Sequence, residues 1–153
     1  MRKVITALIL IMIAVPAEAD EVECLAKNIY YEARDQNLTG MYAVAGVTLN
    51  RVKDRRWPND ICAVVKQRTI VQNQWICQFS WFCDGLSDKP REPDSWIEAL
   101  NRTLVAVELY NNGFDISHGS THYHYKNVKP YWSTTIEYIT TIDDHHFYRW
   151  GKG

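Results

Sequence analysis

Leu25, Ile29 and Glu32 fall at i, i+4 and i+7 in the stretch LAKNIYYEARDQNLTG, residues 25–40. That spacing marks the apolar stripe of a helix facing a core, and its third member is a carboxylate. A carboxyl group on a buried face loses hydration, which disfavours its charged form and raises its pKa. A glutamate that keeps its proton near neutral pH can deliver it as a general acid. Tyr30 and Tyr31 place an aromatic wall beside it. The alternative is structural: an ion pair with Arg34, or with Arg51 or Arg55 arriving from the next helix.

A second constellation is THYHYK, residues 121–126. At a strand period of two, His122 and His124 share one face while Tyr123 and Tyr125 share the other. Two imidazoles pointing the same way make a metal pair, with Glu32 or Asp84 as a third ligand. The competing reading makes them polar groove residues that hydrogen-bond a substrate or the backbone. DDHHF, residues 143–147, offers further ligands or a charged turn. Ser80 and Ser120 lack the G-x-S-x-G elbow of a nucleophilic serine, and no glycine-rich loop is present to cradle a phosphate.

The N-terminus carries a different signal. Met1-Arg2-Lys3 is followed by an apolar run from Val4 to Val15, then Pro16 and Ala17-Glu18-Ala19. This is the pattern of an export signal cleaved after Ala19, leaving residues 20–153 as one domain; the alternative is an uncleaved, weakly held signal anchor, since the run is shorter than a stable membrane span. In an exported chain, Cys24, Cys62, Cys77 and Cys83 suggest two disulfides, of three possible connectivities, rather than a zinc knuckle. The formal net charge is −1, without the basic excess of a nucleic-acid binder. Six Trp and nine Tyr suit both a core and a groove for sugars or other flat ligands.

These residues need a scaffold. Periodicity predicts a helix over 21–34, a loop DQNLTG with Thr39 as N-cap, and a helix over 40–53 with Met41, Val44, Ala45, Thr48, Leu49 and Val52 on its apolar side. Asp60 caps a short helix over 61–66. WICQFSWFC predicts a short strand or hairpin closed by Gly85. Ser95-x-x-Glu98 predicts a capping box opening a helix over 95–111, with Trp96, Ile97, Leu100, Leu104, Val107 and Tyr110 inward and Asn111-Asn112-Gly113 ending it. The last 40 or so residues predict extended chain with a small sheet. The fold class is α+β, mainly α.

Together, LAKNIYYEARDQNLTGMYAVAGVTLNRVKDRRWPNDICAVVKQ, CQFSWFCDG, THYHYKNVKPYW and DDHHFYRW resemble the SleB/CwlJ-like cell-wall hydrolases, first recognised as spore-cortex-lytic enzymes. The resemblance runs from about Cys24 to Trp150 with the blocks in family order. It implies a lysozyme-like single domain, a peptidoglycan substrate and no cofactor. It also implies that the glutamate of the Y-x-E-A-R block, here Glu32, is the catalytic acid. Asp35-Gln36-Asn37 replaces the family's glycine-containing turn, and a carboxylate at Asp35 is expected to push the pKa of Glu32 upward. With no second carboxylate at a family-matched position, the expected chemistry is that of a lytic transglycosylase cutting between N-acetylmuramic acid and N-acetylglucosamine. Tyr31, Gln78, Phe79, Ser80, His122, Tyr123, His124 and Trp132 are the candidate substrate-binding residues. Two rivals stand beside it: a zinc N-acetylmuramoyl-L-alanine amidase using His122 and His124, and a non-catalytic glycan-binding module. The expected protein is a monomeric enzyme of the periplasm or cell envelope, without nucleic-acid partners.

Overall fold

The computed structural model describes residues 17–151, with side chains from Asp20 onward. Of the expected leader, residues 1–19, the first 16 lie outside the described residues. Helix α1 spans Ala17–Ala33 and passes through the expected cleavage point without a break. Leu25 and Ile29 are fully buried, so the stripe that leads to Glu32 does face the core.

Helix α2, Leu38–Lys53, is enclosed on nearly every side rather than along one stripe. Its start differs from expectation. Asn37, not Thr39, is the N-cap, its Oδ1 accepting from Gly40 N at 2.9 Å, and the expected loop is one tight turn. Asp143 Oδ2 accepts from Asn37 N at 2.7 Å and ties that turn to the C-terminal sheet. Helix α3, Ile61–Val65, is capped by Asp60 as expected, Oδ1 accepting from Ala63 N at 2.7 Å. Cys24–Cys62 joins α1 to the start of α3 across a Cα separation of 5.2 Å.

Helix α4, Pro93–Asn111, starts two residues early. Pro93 has its φ preset for the first helical position and lacks the N–H that would otherwise be orphaned there. Ser95 therefore falls inside the first turn and the expected capping box does not form. The buried face is also rotated: Ala99, Thr103 and Ala106 are inside, while Ile97 and Leu104 are each 56% exposed. Small residues let α4 approach α1 and α2 closely. Trp96, Leu100, Val107 and Tyr110 flank that seam half-buried.

Strands β1 (Arg68–Val71) and β2 (Gln74–Cys77) form an antiparallel hairpin. Its turn is Gln72–Asn73, both at positive φ, and not Gly85, which follows a 3-10 turn over Ser80–Cys83. Two central residues at positive φ give a turn whose twist matches the strands. Cys77–Cys83 closes the base of this unit.

The C-terminal segment is more ordered than expected. Strands β3 (His122–Tyr125), β4 (Glu137–Ile142) and β5 (His145–Arg149) form an antiparallel sheet in the order β3-β5-β4. The chain reaches β3 through a knot around Asp115. Its carboxylate accepts from Ser117 N, Gly119 N and Asn50 Nδ2 at 2.6–2.9 Å. Gly46 of α2 lies under it, where a Cβ would stand 2.7 Å from Asp115 Oδ1.

Candidate active site

Several separate elements deliver side chains to one cleft of about 270 Å³, lined by Glu32, Arg51, Cys77, Gln78, Phe79, Ser80, His122, Tyr123 and Trp132. Helix α1 brings Glu32 and α2 brings Arg51. The segment after β2 brings Gln78, Phe79 and Ser80, and β3 brings His122 and Tyr123. Each is fixed from behind. Trp81 Nε1 donates to Asn28 Oδ1 at 3.1 Å, and Asn28 Nδ2 donates to Thr48 Oγ1 at 3.2 Å. That buried chain ties the 3-10 turn to both helices. Arg51 Nε donates to the Thr121 carbonyl at 2.7 Å, which sets the height of β3 against α2.

Among the described residues, Glu32 is the one carboxylate lining this cleft. The Tyr123 hydroxyl donates to Glu32 Oε2 at 2.9 Å. Loss of hydration raises the pKa of Glu32; the hydrogen bond from Tyr123 and the charge of Arg51 pull it back in part. Among the described residues Glu32 makes no ion pair within 4 Å. Arg34 turns instead to Glu92, at 3.6 Å. Asp35 is not among the causes of the Glu32 shift. Its carboxylate accepts from the Tyr125 hydroxyl at 3.2 Å. Arg51 is buried, and desolvation lowers its pKa to about 10. Its guanidinium lies 5.3 Å from the Phe79 ring centre, and its Nη1 has no hydrogen-bond partner among the described residues. His122 is pushed down to about 4 by burial and by Arg51 and Arg56, so it is neutral near pH 7.

Two expected residues lie elsewhere. Tyr31 precedes Glu32 by one position, a rotation of about 100° on a helix. It stacks on Trp81 at 4.7 Å, and its hydroxyl donates to the Ser87 carbonyl. His124 stacks on Tyr148 at 5.2 Å, with Nε2 3.0 Å from the Tyr148 hydroxyl. The strand alternation itself holds: Tyr123 and Tyr125 reach Glu32 and Asp35, while His122 and His124 both meet Trp132 on the other face. No group of three His, Cys, Asp or Glu side chains among the described residues is placed to hold a metal ion.

A family model described as Cell Wall Hydrolase matches residues 35–148. The chain belongs to that family. As a cell wall hydrolase it is a wall-degrading enzyme, although the matched segment begins three residues after Glu32. Its fold matches the catalytic domain of the germination-specific lytic transglycosylase SleB from Bacillus anthracis. The TM-score is 0.66 at 26% identity, over 88% of this chain and 100% of that one. The catalytic domain of the Bacillus cereus SleB protein matches with a TM-score of 0.65 at 24% identity, over 86% of this chain and 91% of that one. No curated protein matches the sequence at a significant level. The mainly α, lysozyme-like α+β fold is thus that of this hydrolase family.

Sequence reasoning treated Arg51 only as an ion-pair partner for Glu32. The signal for more was there: Val44, Thr48 and Arg51 repeat on α2 the spacing of Leu25, Ile29 and Glu32 on α1. In both helices the stripe begins with buried residues and ends with a charge in the cleft.

Proposed function

We propose that this cell wall hydrolase is a lytic transglycosylase that cleaves peptidoglycan between N-acetylmuramic acid and N-acetylglucosamine, with Glu32 as both general acid and general base. The observation that carries this is a single, desolvated carboxylate in a cleft on a cell wall hydrolase fold. Glycosidases that use water or a covalent intermediate pair two carboxylates across the bond. With one, the same group must give the proton and then take one back.

The hydrogen bonding around Glu32 suits that cycle. Oε2 accepts from Tyr123, which leaves Oε1 to carry the proton toward the glycosidic oxygen. Protonation breaks the bond to C1, and the N-acetylglucosamine unit leaves with its hydroxyl. Glu32 is then a carboxylate, and the positive charge of Arg51 stabilises it. The muramoyl 6-hydroxyl attacks C1, its proton passes to Glu32, and a 1,6-anhydro product forms without water. Gln78, Ser80, His122 and Trp132 are assigned to sugar binding, with Phe79 as the floor under Arg51. The resemblance to a lytic transglycosylase domain supports this outcome over hydrolysis. The amidase reading lacks a third ligand to join His122 and His124 among the described residues.

We place the mature enzyme, residues 20–153, as a monomer in the periplasm or cell envelope. The wall substrate and two disulfides suit an oxidising compartment. Digestion in ¹⁸O-labelled water tests the chemistry: the new muramoyl ends are expected to carry no label, and label at the reducing end would mean a hydrolytic muramidase.

A further inference from the structure

A second cleft of about 750 Å³ opens beside Thr121, where Lys53, Arg55, Arg56 and Arg149 face only Asp54 among its lining carboxylates. Arg56 is tied to Asp54 and Arg149 to Glu137. Lys53 lies over the Tyr110 ring at 4.2 Å, and neither it nor Arg55 meets a carboxylate among the described residues. This basic concentration is notable in a chain whose formal net charge is −1.

The two clefts share a wall. Arg51 lines the first, while Thr121, whose carbonyl accepts from Arg51 Nε, lines the second. The Trp57 ring sits at the junction, 5.8 Å from the Arg51 guanidinium and 5.2 Å from that of Arg56. From His122 in the first cleft, ring contacts of 5.8 and 5.6 Å reach Trp57 and Trp150, and Trp150 is half-exposed in the second. The ring contacts of His122 with Trp57 and Trp150 thus run from the Glu32 cleft to the edge of the basic one.

We propose that this basic cleft binds the acidic stem peptide of the muramoyl residue held at Glu32, with Lys53 and Arg55 pairing with its carboxylates. The inference rests on the transglycosylase reading, which puts muramic acid in the first cleft. Muramic acid carries its peptide on the lactyl ether at O3, so a substrate gripped at C1 must send that peptide to one side. Exposed ion pairs are each worth up to about 1 kcal/mol, or roughly fivefold in affinity.

The test compares glycan strands bearing stem peptides with the same strands stripped by an amidase. The wild-type enzyme is expected to show a KM about five- to tenfold lower on the peptide-bearing strands, a preference that 0.5 M salt erases. Arg55→Glu should abolish the preference and leave kinetics on stripped strands unchanged. Lys53→Gln should weaken it severalfold with the same selectivity. Arg55 is an exposed loop residue, and its substitution leaves the helices untouched. Equal wild-type KM on both strands, or variants that lose both substrates alike, would overturn the peptide site alone. So would lost affinity for a peptide-free anionic wall polymer with peptide-bearing strands unaffected. A wild-type enzyme that cuts neither strand overturns the transglycosylase reading with it.

Discussion

Tyr123 is the only side chain among the described residues that hydrogen-bonds Glu32, and its removal should separate position from proton affinity. Because that bond favours the carboxylate, Tyr123→Phe is expected to raise the pKa of Glu32 further. The alkaline limb of the kcat profile then moves to higher pH. The maximum falls about tenfold, one decade of the roughly two to four that a positioned general acid contributes. A pH–rate profile checks both. Glu32 also acts on stability. Its folded pKa lies above its ordinary value, so its contribution is full below about 4.5 and is lost as the pH rises through the folded pKa. Glu32→Gln should therefore raise Tm at neutral pH while abolishing turnover; a lower Tm would mean that the carboxylate is stabilising there. The anomaly on the α1 stripe made Glu32 legible as a residue. Its environment was not legible, because Tyr123 is 91 positions away and only the sheet brings it near.

At the scale of elements, the two disulfides should behave differently. Cys24–Cys62 closes a separation of 38 residues and Cys77–Cys83 one of six. Chain entropy assigns about 4 kcal/mol to the first and about 2 kcal/mol to the second. Cys24→Ala with Cys62→Ala should lower Tm strongly and leave the kinetic constants of the folded fraction near normal. Cys77→Ser with Cys83→Ser should lower Tm less but raise KM, because Cys77 borders Gln78, Phe79 and Ser80 in the cleft. Thermal melts and steady-state kinetics on the two double variants decide this. Helices α1 and α2 were legible from their apolar spacing, and α3 from its Asp60 cap. The face of α4 was not, since close helix packing selected Ala99, Thr103 and Ala106 over the larger Ile97 and Leu104. The hairpin turn was missed because Gln72 and Asn73 adopt positive φ without a glycine to announce it.

For the whole molecule, buried histidines set the response to acid. His122 is held down to about 4 from an ordinary 6.5, and His145, fully buried, is also lowered by desolvation. The unfolded chain takes up these protons first, so stability is present above pH 6.5 and falls as the pH drops toward 4. Tm should decline across that window, and His122→Gln should flatten the decline. Domain class, export signal and wall-hydrolase family could be proposed from the chain alone. How separated segments close on one carboxylate depends on the Asp115 knot and the Arg51–Thr121 bond, which have no local pattern. If Glu32 alone makes this cleft a lytic transglycosylase, the products must depend on it. Mass spectrometry of muropeptides released from purified sacculi tests it most directly. The wild-type enzyme should release 1,6-anhydromuramoyl products, and Glu32→Gln at least about a hundredfold less of them. Muramic acid reducing ends, free stem peptides, or undiminished anhydro products from Glu32→Gln would contradict it.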